Sequence, residues 1–392
     1  MPSRRRAKPV GRDDPGPPLK ILHVTHDWKW TGPAEPMLRL CEALRARGQQ
    51  PSIVCPEPPE ERRSLASEAR AAGFAPVATL SGEGGAFGVG TRADVEVVAS
   101  ACETSQPDLI HTWHTRDHLL ALRARKRRPT ADRPRLVRSL RSAERVAATP
   151  WNRWLFGPGC DGLLCPSPET ARWNAGLRGG RPVAGHFGAV DTRFFPKAPD
   201  PGVRASLGFA PEDRVIGIVA RAQPHRRFDL LLEAARRLFA EVPEARLLVV
   251  GRGTKREALV EAPARELGIA DRVVFAGYRN EDYAEVLRQM EVFTFLVPGS
   301  DGTCRALLEA AACAIPAVVS GRGALPEIVL HRETGLVVPE EADALAGAWR
   351  ELLAEPERRG DLGRAAYERA QAEFTPARLA DSVESLYEKV LR

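Results

Sequence analysis

At 392 residues the chain exceeds what one hydrophobic core normally supports, and with 43% hydrophobic and 28% charged residues it reads as two domains of ordinary globular composition. Seven scattered cysteines (Cys41, Cys55, Cys102, Cys160, Cys165, Cys304, Cys313) include no Cys-x-x-Cys pair and no zinc-like Cys/His spacing, which sets aside a disulfide framework and a structural zinc site and fits buried thiols in a reducing cytoplasm. The formal charge of +6 is uneven, with the basic excess confined to residues 1–200, and because no recognition motif accompanies it, nucleic acid is not expected as the partner.

Residues 1–18 carry Arg4, Arg5, Arg6 and Lys8 but no apolar core, so they read as a disordered basic tail rather than a signal peptide. No apolar run is long enough to span a bilayer. From residue 19 a buried strand, a loop and an amphipathic helix recur, the pattern of a doubly wound parallel sheet. The first unit is a strand over 19–25, a loop over 28–33 and a helix over 34–47. Strands follow at 52–55, 109–111, 135–139 and 163–166. A stretch from Gly185 to Pro201, rich in Pro, Gly and Asp, reads as the inter-domain linker.

The pattern then restarts. Strands are expected at 214–219, 245–251, 272–276, 292–297 and 317–320, alternating with helices at 229–241, 255–267, 283–290 and 303–314. Helices over 342–354, 356–374 and 376–391 close the chain. The expected organisation is therefore a first Rossmann-like domain over 19–195, a second over 203–375, and a last helix over 376–392. Ligands in such sheets sit at the carboxyl ends of the strands, so a ligand held by both domains is expected in the cleft between them.

Six of the seven Trp fall in the basic half. Trp151, Trp154 and Phe156 stand beside Arg145 and Arg153, a mixture that suits an anionic membrane interface and equally a set of core rings beside a solvated basic face.

The window from Phe295 to Ser320, FLVPGSDGTCRALLEAAACAIPAVVS, carries the most chemistry. A strand ends in Pro-Gly-Ser-Asp-Gly-Thr and a helix begins at once, so the amides around Gly302, Thr303 and Cys304 form a site for phosphate oxygens. Asp301 and Glu309 lie eight positions apart; for a helix starting near Thr303, Glu309 falls roughly 9 Å below its mouth. That spacing suits a nucleotide sugar whose diphosphate sits at the mouth, with Glu309 accepting from ribose hydroxyls and Asp301 from the transferred sugar. Taken alone, the window also fits an N-capping Asp and a surface Glu on an ordinary helix.

This window resembles the Glu-x7-Glu signature of the retaining GT-B enzymes known as family four, or group 1, glycosyltransferases, with Asp301 in place of the first Glu. The replacement shortens the reach to the sugar by one methylene and so bears on donor specificity. The stretch from Ala220 to Asp229 resembles the family's Gly-Arg-x5-Lys-Gly-x-Asp loop, in which Arg221 keeps its place and Arg226 stands where Lys is usual. The resemblance implies that Arg221 and Arg226 grip the donor diphosphate as charge develops on the leaving group. Gly251-Arg252-Gly253 and Phe275-Ala276-Gly277-Tyr278-Arg279 resemble two further landmarks, which assigns Gly251, Tyr278 and Arg279 to donor binding.

In the first domain Thr31-Gly32-Pro33-Ala34-Glu35 resembles the Gly-Gly-Ala-Glu loop that approaches the diphosphate from the other side; Gly32 permits the approach, and Pro33 removes a backbone donor. Asp108-Leu109-Ile110-His111 resembles the Asp-x-x-His strand end, with Trp113 and His114 where a second His is found, and implies a catalytic place for His111. Arg141 maps where the family has a His near the transferred sugar, so Arg141 and His114 are assigned to phosphate or acceptor contact, core or surface positions for all three being the alternative. Glu327 and the turn at Glu333-Thr334-Gly335-Leu336-Val337 resemble landmarks of the family with a structural role, and the closing helix is expected to cross back onto the first domain.

No Asp-x-Asp motif occurs and no His/carboxylate cluster has metal-ligand spacing, so metal-independent transfer without a cofactor is expected, with cations and a helix dipole offsetting leaving-group charge. The resemblance implies retention, a nucleotide diphosphate sugar as donor, a saccharide or lipid-linked acceptor of the cell envelope, and a cytoplasmic protein with peripheral access to an anionic membrane. A sugar-nucleotide epimerase on the same architecture, or a silent nucleotide-sugar or membrane-binding protein, remains as the alternative.

Overall fold

The computed structural model describes residues 17–30, 32–60, 62–81, 91–298 and 302–392. Thr31, Asp301 and most of the expected basic tail therefore lie outside the described residues. Seven strands form the first sheet: β1 (Lys20–Val24), β2 (Gln50–Pro56), β3 (Ala78–Leu80), β4 (Leu109–Thr112), β5 (Arg135–Ser139), β6 (Gly162–Cys165) and β7 (Val183–Gly185). Six form the second: β8 (Arg214–Val219), β9 (Ala245–Val250), β10 (Val273–Gly277), β11 (Val292–Phe295), β12 (Ala317–Ser320) and β13 (Gly335–Val338).

The strand orders are β3-β2-β1-β4-β5-β6-β7 and β10-β9-β8-β11-β12-β13, and the pairings are parallel throughout. Both sheets reverse direction of growth once, at β1/β4 and at β8/β11. Each reversal opens a crevice at the carboxyl ends of its strands, the place where doubly wound sheets take ligands. The central strands are apolar and enclosed on both faces, as in Val215, Ile216 and Ile218 of β8, because helices cover both sides of a parallel sheet.

Differences from the sequence expectations have local causes. The helix expected over 255–267 is broken into a π turn at Glu257–Glu261 and a short helix Ala262–Glu266, because Pro263 has no N–H to continue the ladder. Residues 335–338, read as part of a turn, pair with β12 as an edge strand. In the stretch read as linker, Phe194 already belongs to the second domain's core and stacks edge-on against Tyr283, with ring centroids 5.7 Å apart.

The last helix, Pro376–Leu391, returns to the first domain. Its stripe Leu379, Val383, Leu386, Tyr387 and Val390 is buried against Leu40, Leu44 and Val137, and Arg47 of the first domain pairs with Glu384 at 3.1 Å. A second tie joins the domains away from the cleft. Glu327 accepts from the Ser167 hydroxyl at 2.6 Å and from the Glu169 amide at 2.9 Å, so a carboxylate of one domain serves the helix N-terminus Pro168–Asn174 of the other. Among the described residues no helix is long and apolar enough to cross a membrane.

Candidate active site

The carboxyl ends of the two sheets face one another across a cavity of about 300 Å³. Its wall on the second domain is built by three strand-to-helix loops. Beyond β8, Ala220 leads to Arg221, whose side chain is exposed to the cavity, and then to a 3-10 turn, Pro224–Arg226. Arg226 is only 9% exposed, and its Nη1 donates to the carbonyls of Val297 (2.8 Å) and Pro298 (3.2 Å), the residues that lead into the loop before helix Arg305–Ala312. The Arg226 guanidinium is thus tied to the backbone that carries the helix mouth.

The loop after β9 closes on the loop after β8. A Cβ at Gly251 (φ +152°) would sit 2.1 Å from the Ala220 carbonyl oxygen, so only glycine allows the two loops to touch and to bring Arg221 and Arg252 to one wall. Arg252 lies flat on the Tyr278 ring, its guanidinium carbon 3.7 Å from the centroid, and Tyr278 itself is half exposed. Arg279 is held by Asp282 at 2.8 Å and by the Ala276 carbonyl at 3.1 Å.

The helix expected from Thr303 begins two residues later. Gly302 and Cys304 both take left-handed backbone angles (φ +69° and +53°), and regular helix starts at Arg305. Glu309 therefore lies roughly 6 Å below the mouth rather than 9 Å. It is 4% exposed, accepts from the Tyr283 hydroxyl at 2.8 Å, and faces Arg305 Nε at 3.5 Å. Burial pushes its carboxyl above the ordinary range, against the pull of the nearby Arg305. Thr303 is turned away from the main cavity into a small pocket behind it, shared with Gly188 and Asp191.

From the first domain, Gly32 (φ +62°) and the start of helix Ala34–Ala46 reach the cavity, bringing Glu35 and Arg39. Glu35 pairs with Arg305 across the cleft, and Arg63 donates to Asn280 at 2.8 Å. The domains also meet closely at Gly302, where an added Cβ would lie 2.3 Å from the carbonyl oxygen of Arg141. Eight arginines and three glutamates line the cavity, so its field favours an anion. Arg221 and Arg252 enter no ion pair among the described residues, which leaves their charge for whatever occupies the cavity.

Residues 32–183 match the family described as Glycosyltransferase Family 4, and residues 201–369 match Glycosyl transferases group 1. The chain belongs to the group 1 glycosyltransferases of GT-B fold. The chain is 35% identical over 210 residues to the D-inositol 3-phosphate glycosyltransferase of Mycobacteroides abscessus, covering 52% of the chain and 45% of that relative. It is 36% identical over 185 residues to the GDP-mannose-dependent alpha-(1-6)-phosphatidylinositol monomannoside mannosyltransferase of Mycolicibacterium smegmatis, covering 44% of the chain and 48% of the relative. The chain thus spans about half the length of the curated relatives it matches. Its fold matches Anabaena HepE solved with UDP and glucose, at a TM-score of 0.74, 18% identity, and coverage of 94% and 98% of the two chains.

Several site residues inferred from the sequence meet in the one cavity: Gly32, Arg221, Arg226, Gly251, Tyr278, Arg279, Cys304 and Glu309. His111 does not, and its expected catalytic place gives way to a structural one. It is fully buried, its Nδ1 faces the Tyr387 hydroxyl at 2.7 Å and its Nε2 the Ser139 hydroxyl at 2.8 Å. Register pairs it with His23 on β1, and Trp113 stacks on it at 5.1 Å. Burial pushes both imidazoles down, His23 to about 3, and so disfavours the charged imidazolium form.

His114 also lies outside the cavity lining; it precedes helix Thr115–Arg125 and joins His26 on the carboxylate of Asp117. The sequence shows no metal-spaced His/carboxylate cluster, but the fold brings these three together from positions 91 apart. The backbone carbonyl of Arg141 is the atom that faces Gly302 in the loop before helix Arg305–Ala312. Arg252, Tyr283 and Arg305 were not among the residues inferred from the sequence. Arg305 carries a readable signal, since it stands one helical turn before Glu309.

Proposed function

We propose that this group 1 glycosyltransferase transfers a sugar from a nucleoside diphosphate sugar to a saccharide or lipid-linked acceptor of the cell envelope, with retention and with no metal at the diphosphate. The observation that carries the proposal is the convergence of Arg221, Arg226 and Arg252 on the mouth of the helix that holds Glu309. Such an arrangement suits two linked phosphates: the helix mouth presents amides, and the guanidinium groups offset charge that grows on the leaving diphosphate. Tyr278 with Arg252 offers a flat surface for the base, and Glu309, buried at the cavity wall, offers acceptor oxygens to ribose hydroxyls. The acceptor enters from the first domain's side, and the leaving phosphate takes its proton on the face from which it departs. A relative named for a phosphatidylinositol monomannoside supports a lipid-linked acceptor, and one named for D-inositol 3-phosphate supports a phosphorylated polyol.

A lipid-linked acceptor is further supported by helix Pro150–Phe156. Trp151 and Trp154 are 52% and 42% exposed with ring centroids 5.2 Å apart, and Arg145 and Arg153 beside them are exposed as well. Two indoles and two cations on one surface favour the anionic membrane interface over the core reading. The test is thermal stabilisation by UDP-, GDP- and ADP-sugars, followed by transfer from the stabilising donor to envelope extracts. Stabilisation with product of unchanged anomeric configuration supports the proposal. Donor converted to an epimer without acceptor, or donor bound and never transferred, refutes it.

A further inference from the structure

The group formed by His26, His114 and Asp117 lies outside the donor cavity, at the carboxyl ends of β1 and β4. We propose that these three side chains bind a divalent transition-metal ion of the zinc class. His26 Nδ1 lies 2.6 Å from Asp117 Oδ1, His114 Nδ1 lies 3.0 Å from Oδ2, and the candidate ligand atoms fall within 4.8 Å of one another. The rings meet edge to face at 4.6 Å, so neither blocks the other's approach to a common centre.

Asp117 is prepared for such a role independently of the imidazoles. It is fully enclosed, and backbone amides hold both of its oxygens: His26 N donates to Oδ1 at 2.9 Å and His114 N to Oδ2 at 2.8 Å. A carboxylate that caps helix Thr115–Arg125 needs only the His114 amide; the second amide and the two imidazoles exceed that task. The orientation of Asp117 therefore survives when the imidazoles turn from hydrogen bonding to coordination, as the outer contacts of a metal ligand must.

Coordination requires modest motion. An ion about 2.0–2.1 Å from each nitrogen draws the rings together by roughly an ångström, and each neutral imidazole moves its proton from Nδ1 to Nε2. His26 and His114 have 28% and 12% of their side chains exposed and can make that adjustment. Two nitrogen donors and one carboxylate select zinc, cobalt or nickel over magnesium or calcium. Three protein ligands leave a position open to water or to an oxygen of an anionic molecule entering from the first domain's side.

The direct experiment titrates Zn²⁺ into chelator-treated, tag-free protein by calorimetry, with Mg²⁺ as control and the Co²⁺ absorption spectrum as a report on the ligands. Wild type should bind one Zn²⁺ per chain with no response to Mg²⁺. His26→Ala and His114→Ala should each weaken binding by at least tenfold and abolish the thermal stabilisation that Zn²⁺ confers. Absence of stoichiometric binding in wild type, wild-type affinity in either variant, or a cobalt–thiolate band pointing to cysteines would overturn the proposal.

Discussion

Gly302→Ala tests whether the apposition of the two domains at the phosphate loop matters for turnover. The substitution acts twice. At φ +69° any residue with a Cβ is strained by about 1–2 kcal/mol. The new methyl would also lie 2.3 Å from the Arg141 carbonyl oxygen and 2.9 Å from the Pro166 ring, both on the opposite domain. An ordinary carbon–oxygen contact is longer by roughly an ångström, so the strain is relieved by opening the cleft by about that amount. Strain of this size lowers Tm by roughly 2–8 °C for a domain of about 170 residues. A reacting geometry displaced by an ångström loses on the order of a hundredfold in rate. Steady-state transfer kinetics and calorimetric unfolding measured together should therefore show kcat/KM falling by about two orders of magnitude while the fold persists. Wild-type kcat/KM in Gly302→Ala would refute the reasoning, because the contact would then be irrelevant to assembly of the site.

Glu309 supplies a prediction with a sign in pH. Burial raises its folded pKa, so the native state holds this proton more tightly than the unfolded chain; the group's contribution is fully present below the unfolded value near 4.5 and is lost as pH rises through the raised folded value. Glu309→Gln should thus raise Tm relative to wild type at neutral pH, with the gap closing toward about pH 4.5, while donor affinity falls by more than tenfold; a Tm difference independent of pH would contradict the assignment. Tyr387→Phe leaves the buried His111 Nδ1 without its partner and should cost about 1–3 kcal/mol in denaturant unfolding with donor affinity unchanged. A loss of donor affinity without a loss of stability would return His111 to the active site.

What the sequence made legible follows from the range over which each signal acts. The strands β1, β8, β9 and β11 are mostly apolar runs bounded by turn residues, and their buried faces are a property of a few neighbouring side chains. That Arg221, Arg226, Gly251 and Glu309 would share one cavity wall was readable because they sit at fixed offsets from those strands. The start of the helix at Arg305 was less so: the left-handed turn at Cys304 is imposed by packing, since 304 carries a side chain that by itself disfavours it. His111 misled for a related reason. Its strand end looks like a ligand-facing position, yet pairing with His23 and the return of Tyr387 from the last helix, 276 residues on, enclose it. The union of His26 with Asp117 depends on β1 and β4 lying side by side, which no local pattern announces.

In the proposed complex one diphosphate is held between the helix mouth and the side chains of Arg221 and Arg226. Arg221 is exposed, so Arg221→Ala should leave stability within about 0.5 kcal/mol of wild type and isolate its effect on binding. The direct measurement is calorimetric titration of the stabilising nucleoside diphosphate into wild type and Arg221→Ala. A Kd weakened more than tenfold, corresponding to loss of a charged hydrogen bond of about 1.5–3 kcal/mol, is the predicted result. Equal affinity in the two proteins would contradict it.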